Sequence, residues 1–330
     1  MIYYFNLRSN PNSSRVVCGS MNKYIIGYLL IVFCSITTGS QGQNKDPLAT
    51  EIVTADLDRF WNALDKAGPD INPDVLDELY LIPGSKGIKG FTKGRIKNAE
   101  YLAGVIKAHT KYYHSIKSST DSIAGMKDQI RQSLVKLKEL YPKAIFPPVY
   151  FVIGALSSGG TSSKDGLIIG AEMYGLTRTT PSEELNDWLL TVIKPVNEVP
   201  HIVAHELIHF QQDYDGGTLL AASIKEGAAD FLAELISGRH INQHVHEFAD
   251  SKEKELWLEF RAKMNEKDYT GWLYSSVKGR PNDLGYWMGY KITKAYYDRA
   301  SDKQAAINEI FHIKDFNKFL DQSGYAKKFE

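Results

Sequence analysis

Residues His205-Glu206-Leu207-Ile208-His209 set two imidazoles four positions apart, with a carboxylate beside the first. On a helix, side chains four apart stand one turn above each other on one face, so both rings can grip one cation. Imidazole nitrogen combined with carboxylate oxygen suits zinc, and a catalytic zinc keeps one tetrahedral position open for water. Glu206 then stands where a general base is needed, to take a proton from that water and hand it to a leaving amine. The flanking Ile202, Val203, Leu207, Ile208 and Phe210 give the segment a buried face. That pattern argues against a surface helix carrying two solvated histidines.

Two histidines leave a third ligand to be found. Glu226, in Lys225-Glu226-Gly227-Ala228-Ala229-Asp230, is the best placed. It falls on the next expected helix, after a turn at Gly216-Gly217, and a short connection brings two helices together. Asp230 lies one turn further on and suits a supporting role, accepting the free ring N–H of a ligand histidine. An exposed acidic face is the plainer reading of both carboxylates. Glu234, two turns beyond Glu226, is a weaker third ligand. His201 shares the face of His205 and reads as a neutral core histidine or as part of the site. His240, His244 and His246 could hold a second metal, but read more simply as a polar loop after Gly238. Tyr286 and Tyr290, one turn apart in Gly285-Tyr286-Trp287-Met288-Gly289-Tyr290, each offer a phenol to a developing oxyanion. An aromatic core stripe explains them equally well.

The elements that must hold these residues follow from periodicity. Leu57, Phe60, Trp61 and Leu64 mark one helix face, with Asp56 or Thr54 as its cap. Further helices are expected over 97–116 and 121–140, the latter ended by Pro142. Val149 to Ile153 and Leu167 to Glu172 read as strands, paired as a hairpin across a long Gly/Ser connection. That connection is no phosphate loop, because no Gly-Lys-Ser/Thr follows it. The edge of the 167–171 strand could receive an extended peptide, although an ordinary sheet strand has the same sequence. Helices over 182–193, 197–214, 219–236, 251–265, 284–299 and 302–312 complete the chain.

The chain has 330 residues and no net formal charge, which gives no argument for nucleic-acid binding. Lys23, the apolar run Tyr24 to Phe33 and the small polar stretch that follows read as a secretory signal over 1–42, with Met21 as an alternative start. The run is too short to cross a bilayer, so no integral span is expected in the mature chain. Both cysteines, Cys18 and Cys34, fall in this leader. Any metal must therefore be held by His, Asp or Glu. A lipid anchor at Cys34 is a minority reading, because Phe33 stands where a small residue is expected. The remainder reads as a helical region, 43–145, and a catalytic region, 146–330, expected to form one compact unit with the preceding helices. A secreted, periplasmic or cell-envelope location follows.

HELIH followed by EGAAD resembles the gluzincins, metallopeptidases in which two histidines and a downstream glutamate bind zinc. Within them the chain looks most like predicted zinc-dependent proteases of bacteria, some related to gliding-motility lipoproteins. The stretches FPPVYFVIG, LIIGAEMYG, HELIHFQQ, KEGAADFLAE and GYWMGY carry the likeness from about Tyr141 to Tyr290, and FHIKDFNKFLDQSGY extends it. The gap from His209 to Glu226 is shorter than in the best-studied gluzincins. The resemblance implies an α+β, mainly helical, zincin-like metallopeptidase fold, with a small antiparallel sheet packed on the active-site helix. It also implies zinc on His205, His209 and Glu226, Glu206 as catalyst, Asp230 as orienter, and a peptide or protein substrate. Two other readings stand beside this one. One is a non-catalytic envelope binding or assembly protein on a peptidase fold, against which the intact Glu206 speaks. The other is a hydrolase of non-peptide amides or esters.

Overall fold

The apolar runs at 149 and 167 both become strands, but they lie side by side in parallel. The computed structural model describes residues 43–330 except Ser276. The expected signal at 1–42, with Met21, Cys18 and Cys34, lies outside the described residues. Four strands form one mixed sheet: β1 (Ile52–Val53), β2 (Val149–Val152), β3 (Gly160–Ser163) and β4 (Gly166–Gly170), in the order β1-β2-β4-β3. β1 pairs parallel with β2, and β2 parallel with β4, through Val149↔Leu167 to Val152↔Gly170. The expected 149–167 hairpin and wholly antiparallel sheet are therefore corrected. The sequence of β2 is apolar throughout because both faces are buried, the usual condition of a parallel strand.

The hairpin that does exist joins β3 to β4, with Ser163 opposite Gly166 across Lys164-Asp165. β3 (Gly-Thr-Ser-Ser) read as loop because it is small and polar, with no alternating apolar pattern to mark it. It is half-buried and forms one edge of the sheet. β4 is interior, so an extended peptide adding to this side would meet β3, not the 167–171 strand. Ala171 and Glu172 leave β4 for a short 3-10 turn ending at Tyr174.

Helices make up most of the remainder, giving an α+β fold in which the sheet is the smaller part. α1 (Ala55–Ala67) buries Leu57, Phe60, Trp61 and Leu64 as their spacing requires. Neither expected cap operates. The Thr54 side chain makes no capping bond, and Asp56 is buried against Arg59 and Ser85 instead. The 97–116 helix is broken at His109 into Ala99–Ala108 and Thr110–Ser115. The 121–140 helix is a 3-10 turn at Ile123–Met126 followed by α2 (Lys127–Leu140). α2 stops at Tyr141 because the residue before Pro142 is barred from the helical region.

Four helices frame the histidines: α3 (Val199–Gln211), α4 (Leu219–Ser237), α5 (Gln243–Ala249) and α6 (Leu284–Arg299). Pro200 sits in the first turn of α3, where its missing N–H is no loss. Thr218 accepts the Ala221 N–H at 3.2 Å to start α4, and Gly238 at φ 78° ends it in the left-handed region. α4 and α6 touch backbone to backbone: a Cβ on Gly227 would stand 2.0 Å from the Tyr290 nitrogen, and one on Gly289 1.7 Å from the Ser223 oxygen. α5 replaces the polar loop expected after Gly238, since Val245 and Ala249 find a buried face there.

Residues 43–330 form one compact unit. The helices before residue 145 buttress the sheet through tyrosine hydroxyls. Tyr80 donates to the Ile153 carbonyl at 2.6 Å, Tyr113 to that of Gly154 at 2.8 Å and Tyr112 to that of Glu172 at 2.6 Å. Among the described residues no helix is long and apolar enough to cross a membrane.

Candidate metal centre

α3 and α4 pack together and bring His205, His209 and Glu226 to one point. His209 Nε2 lies 3.0 Å from His205 Nε2 and 3.0 Å from Glu226 Oε2, and the His205–Glu226 edge is 3.7 Å. Zinc bonds of about 2.0–2.1 Å in a tetrahedron space their donors by roughly 3.4 Å. The three observed separations bracket that spacing. Among the described residues this is the one group of three or more His, Cys, Asp or Glu residues that converges in this way.

Proton placement supports the same use. His209 Nδ1 is 2.8 Å from Gln212 Oε1. The Gln212 amide nitrogen donates to the Lys225 carbonyl at 2.9 Å and to the Tyr214 hydroxyl at 3.1 Å, so its oxygen is left to accept. His205 Nδ1 faces Asp230 Oδ1 at 2.8 Å, a close contact though not an aligned hydrogen bond. Asp230 is itself held by the Asn242 amide at 2.8 Å. With each ring neutral and protonated at Nδ1, the state that metal binding requires, both Nε2 lone pairs point at each other and at a carboxylate. A bound cation relieves that repulsion, so the donor set fits a divalent metal.

The electrostatics are strained in the same sense. Burial alone would lower the His205 pKa, but the Asp230 and Glu226 carboxylates outweigh it and hold the metal-free ring up to about 10, so a cation at Nε2 has to displace a proton. Burial would raise Glu226, yet His209 and His205 pull it well below the usual carboxylate range. Glu206, 7% exposed, is pushed up by burial despite the offsetting pull of His209 and His205.

The edge strand closes over this glutamate. A Cβ on Gly160 would stand 2.7 Å from Glu206 Oε1, so β3 can pass there only without a side chain. Beyond it opens a cavity of about 590 Å3 whose wall includes Gly160, His205, Glu206, Tyr286, Lys194 and His244. The Tyr286 ring stacks on His205 at 6.2 Å. Burial holds its pKa well above that of a free phenol, so its hydroxyl keeps the proton.

The remaining candidates are placed elsewhere. The Tyr290 hydroxyl donates to Glu234 at 2.7 Å, which draws both away from the histidine pair. His201 is buried with Nδ1 2.9 Å from the Ser237 hydroxyl, and burial lowers its pKa, as for a neutral core histidine. His240 and His246 pack ring to ring at 4.2 Å, both against Tyr290, while His244 faces the cavity. Sequence reasoning missed Gln212, Asn242 and Tyr274, whose hydroxyl donates to Glu226 Oε1 at 2.7 Å. Gln212 carried a signal, since it stands three residues after His209. Tyr274 is far away in sequence and carried none.

No curated protein and no solved structure gives a significant match to the chain. The family described as gliding motility protein GldB matches residues 49–327, nearly all of the described fold, and the chain belongs to that family.

Proposed function

We propose that this is a cell-envelope protein of the gliding machinery that carries a zinc centre of hydrolase type. Family membership supports the envelope and motility role, and a lipid anchor at Cys34 is in keeping with it. The observation that carries the metal centre is the triangle of His205 Nε2, His209 Nε2 and Glu226 Oε2, with Glu206 beside it. Zinc bound there would acidify a water and polarise a carbonyl. The chain supplies the rest. Glu206 is a buried carboxylate beside the donor triangle, placed to act as the base. Tyr286 offers a protonated phenol to an oxyanion, and β3 offers an unpaired strand edge to an extended peptide.

A second reading has its own support. The family description names motility and no reaction, so membership favours a binding or assembly role more directly than it favours cleavage. In that role the same centre holds a partner chain without cutting it. Zinc content by elemental analysis, followed by a peptide-library digest of wild type and Glu206→Gln, separates the two. The hydrolase reading expects one zinc per chain in both proteins and cleavage by wild type alone. One zinc with no cleavage by wild type leaves the binding role. Cleavage by Glu206→Gln removes the assigned mechanism.

A further inference from the structure

The wall of the cavity beside the metal centre includes a cationic group that, among the described residues, has no carboxylate in ion-pair contact. Lys194 is fixed at its backbone from both sides: its N–H donates to the Met173 carbonyl at 2.9 Å, and its carbonyl accepts the Leu176 N–H at 3.0 Å. Ile193 before it is buried. Lys194 itself is half-buried in the cavity wall. Among the described residues its ammonium makes no hydrogen bond, and no carboxylate lies within the 4.0 Å of an ion pair.

The other charged groups of that wall are partly engaged, with Glu198 Oε2 and Arg280 Nε and Nη2 left without a hydrogen-bond partner among the described residues. Glu198 is paired with Arg239 at 2.6 Å. Asp283 accepts the Tyr274 N–H at 2.9 Å. Arg280 is bound to Glu259 at 2.7 Å and lies over Trp272 at 5.0 Å. Glu206 stands against the histidine pair. A partly desolvated ammonium left unpaired is costly, and a carboxylate entering the cavity would relieve that. Burial lowers the Lys194 pKa, with Glu198 opposing the shift. His244 is exposed on the same wall, where a neutral ring can donate an N–H to the same anion.

We propose that Lys194, assisted by His244, forms a carboxylate-binding subsite that selects peptides carrying an acidic group next to the bond or segment held at the metal centre. The subsite rests on the reading that this cavity receives a peptide, but it does not require cleavage. The carboxylate has two sources, an Asp or Glu side chain or a free C-terminus.

The test measures fluorescence anisotropy of zinc-loaded full-length Glu206→Gln protein with short fluorescein-labelled peptide pools. The pools contain Glu or Gln at the varied position, each with a free or an amidated C-terminus. The expected result is binding at least about tenfold tighter to one carboxylate-bearing form. The Glu/Gln comparison identifies a side-chain carboxylate, and the acid/amide comparison a terminal one. Lys194→Met in the same background should abolish that preference while leaving neutral pools within about twofold, and Lys194→Arg should keep most of it. Equal affinity for all four pools, or no binding of any, overturns the subsite. If Lys194→Met lowers Tm and weakens all pools alike, Lys194 serves only to balance Glu198, which also overturns it. Cleavage of library peptides by wild type without charge preference removes the subsite and leaves the hydrolase reading standing. A charge preference without cleavage removes the hydrolase and leaves the subsite.

Discussion

His205 is held from two sides, by Asp230 at Nδ1 and by the donor triangle at Nε2, and its usefulness as a ligand depends on which nitrogen keeps the proton. Asp230→Asn removes the charge that holds the Nδ1 proton while preserving shape. Zinc affinity, measured by competition with a chelating dye, is expected to fall about 10–100-fold, as for other supporting carboxylates of metal-bound histidines. An unchanged affinity would show that Asp230 does not act through the ring. A second carboxyl, Glu172, is fully buried and accepts the Gly154 N–H at 2.8 Å and the Leu156 N–H at 3.3 Å. Burial pushes its pKa from the ordinary 4.5 up to about 7, against the opposing pull of those amides. A group whose pKa rises on folding takes up a proton as the chain folds. Its contribution is complete below pH 4.5 and is lost as pH climbs through about 7. Glu172→Gln should flatten that limb, removing on the order of 3 kcal/mol of pH dependence from urea unfolding curves. Parallel wild-type and variant profiles would contradict the assignment.

At the scale of elements, the close contact of α4 with α6 decides which side chains reach the histidine pair. Glu226, Asp230 and Glu234 are spaced by four on α4, and each step of four turns the face by about 40°. Over eight residues the drift is roughly 80°, which carries Glu234 off the histidine side and onto Tyr290. The same drift separates Tyr286, stacked on His205, from Tyr290. This register needs the backbones to touch at Gly227 and Gly289. Gly227→Ala drives a methyl into backbone and should destabilise the protein by about 3 kcal/mol or more in chemical denaturation, with loss of zinc occupancy. Gly217→Ala, where a Cβ meets nothing within 4 Å, should be near neutral by comparison. Equal effects would mean that the contact is looser than the geometry shows.

On the scale of the whole molecule, the helices before residue 145 and the helices after it that carry His205, His209 and Glu226 share one core. Tyr80 and Tyr113 clamp the chain leaving β2 toward the edge strand over Glu206, and Tyr112 clamps the chain leaving β4. The donor triangle joins α3 to α4 inside that core, so a metal that binds only the folded chain should stabilise all of it. Free zinc at a hundred times its Kd is expected to add about 2.7 kcal/mol, a rise of several degrees in Tm that a chelator reverses. Glu226→Ala should remove most of the shift. A zinc-independent Tm in wild type would count against a bound ion.

The sequence by itself determined the helix carrying His205, Glu206 and His209, because a spacing of four on a 3.6-residue helix is a local property that needs no partner. It also determined the 284–299 helix to the residue and the pairing of Glu226 with Asp230 on one face. Only the tertiary structure decided that β2 and β4 run parallel, that Gly160 lies over Glu206, that Gln212 and Tyr274 reach His209 and Glu226, and that Lys194 lines the cavity beside them. Those placements depend on register between segments far apart in the chain. That register is set by long-range packing and hydrogen bonding, which no local period of apolar residues encodes.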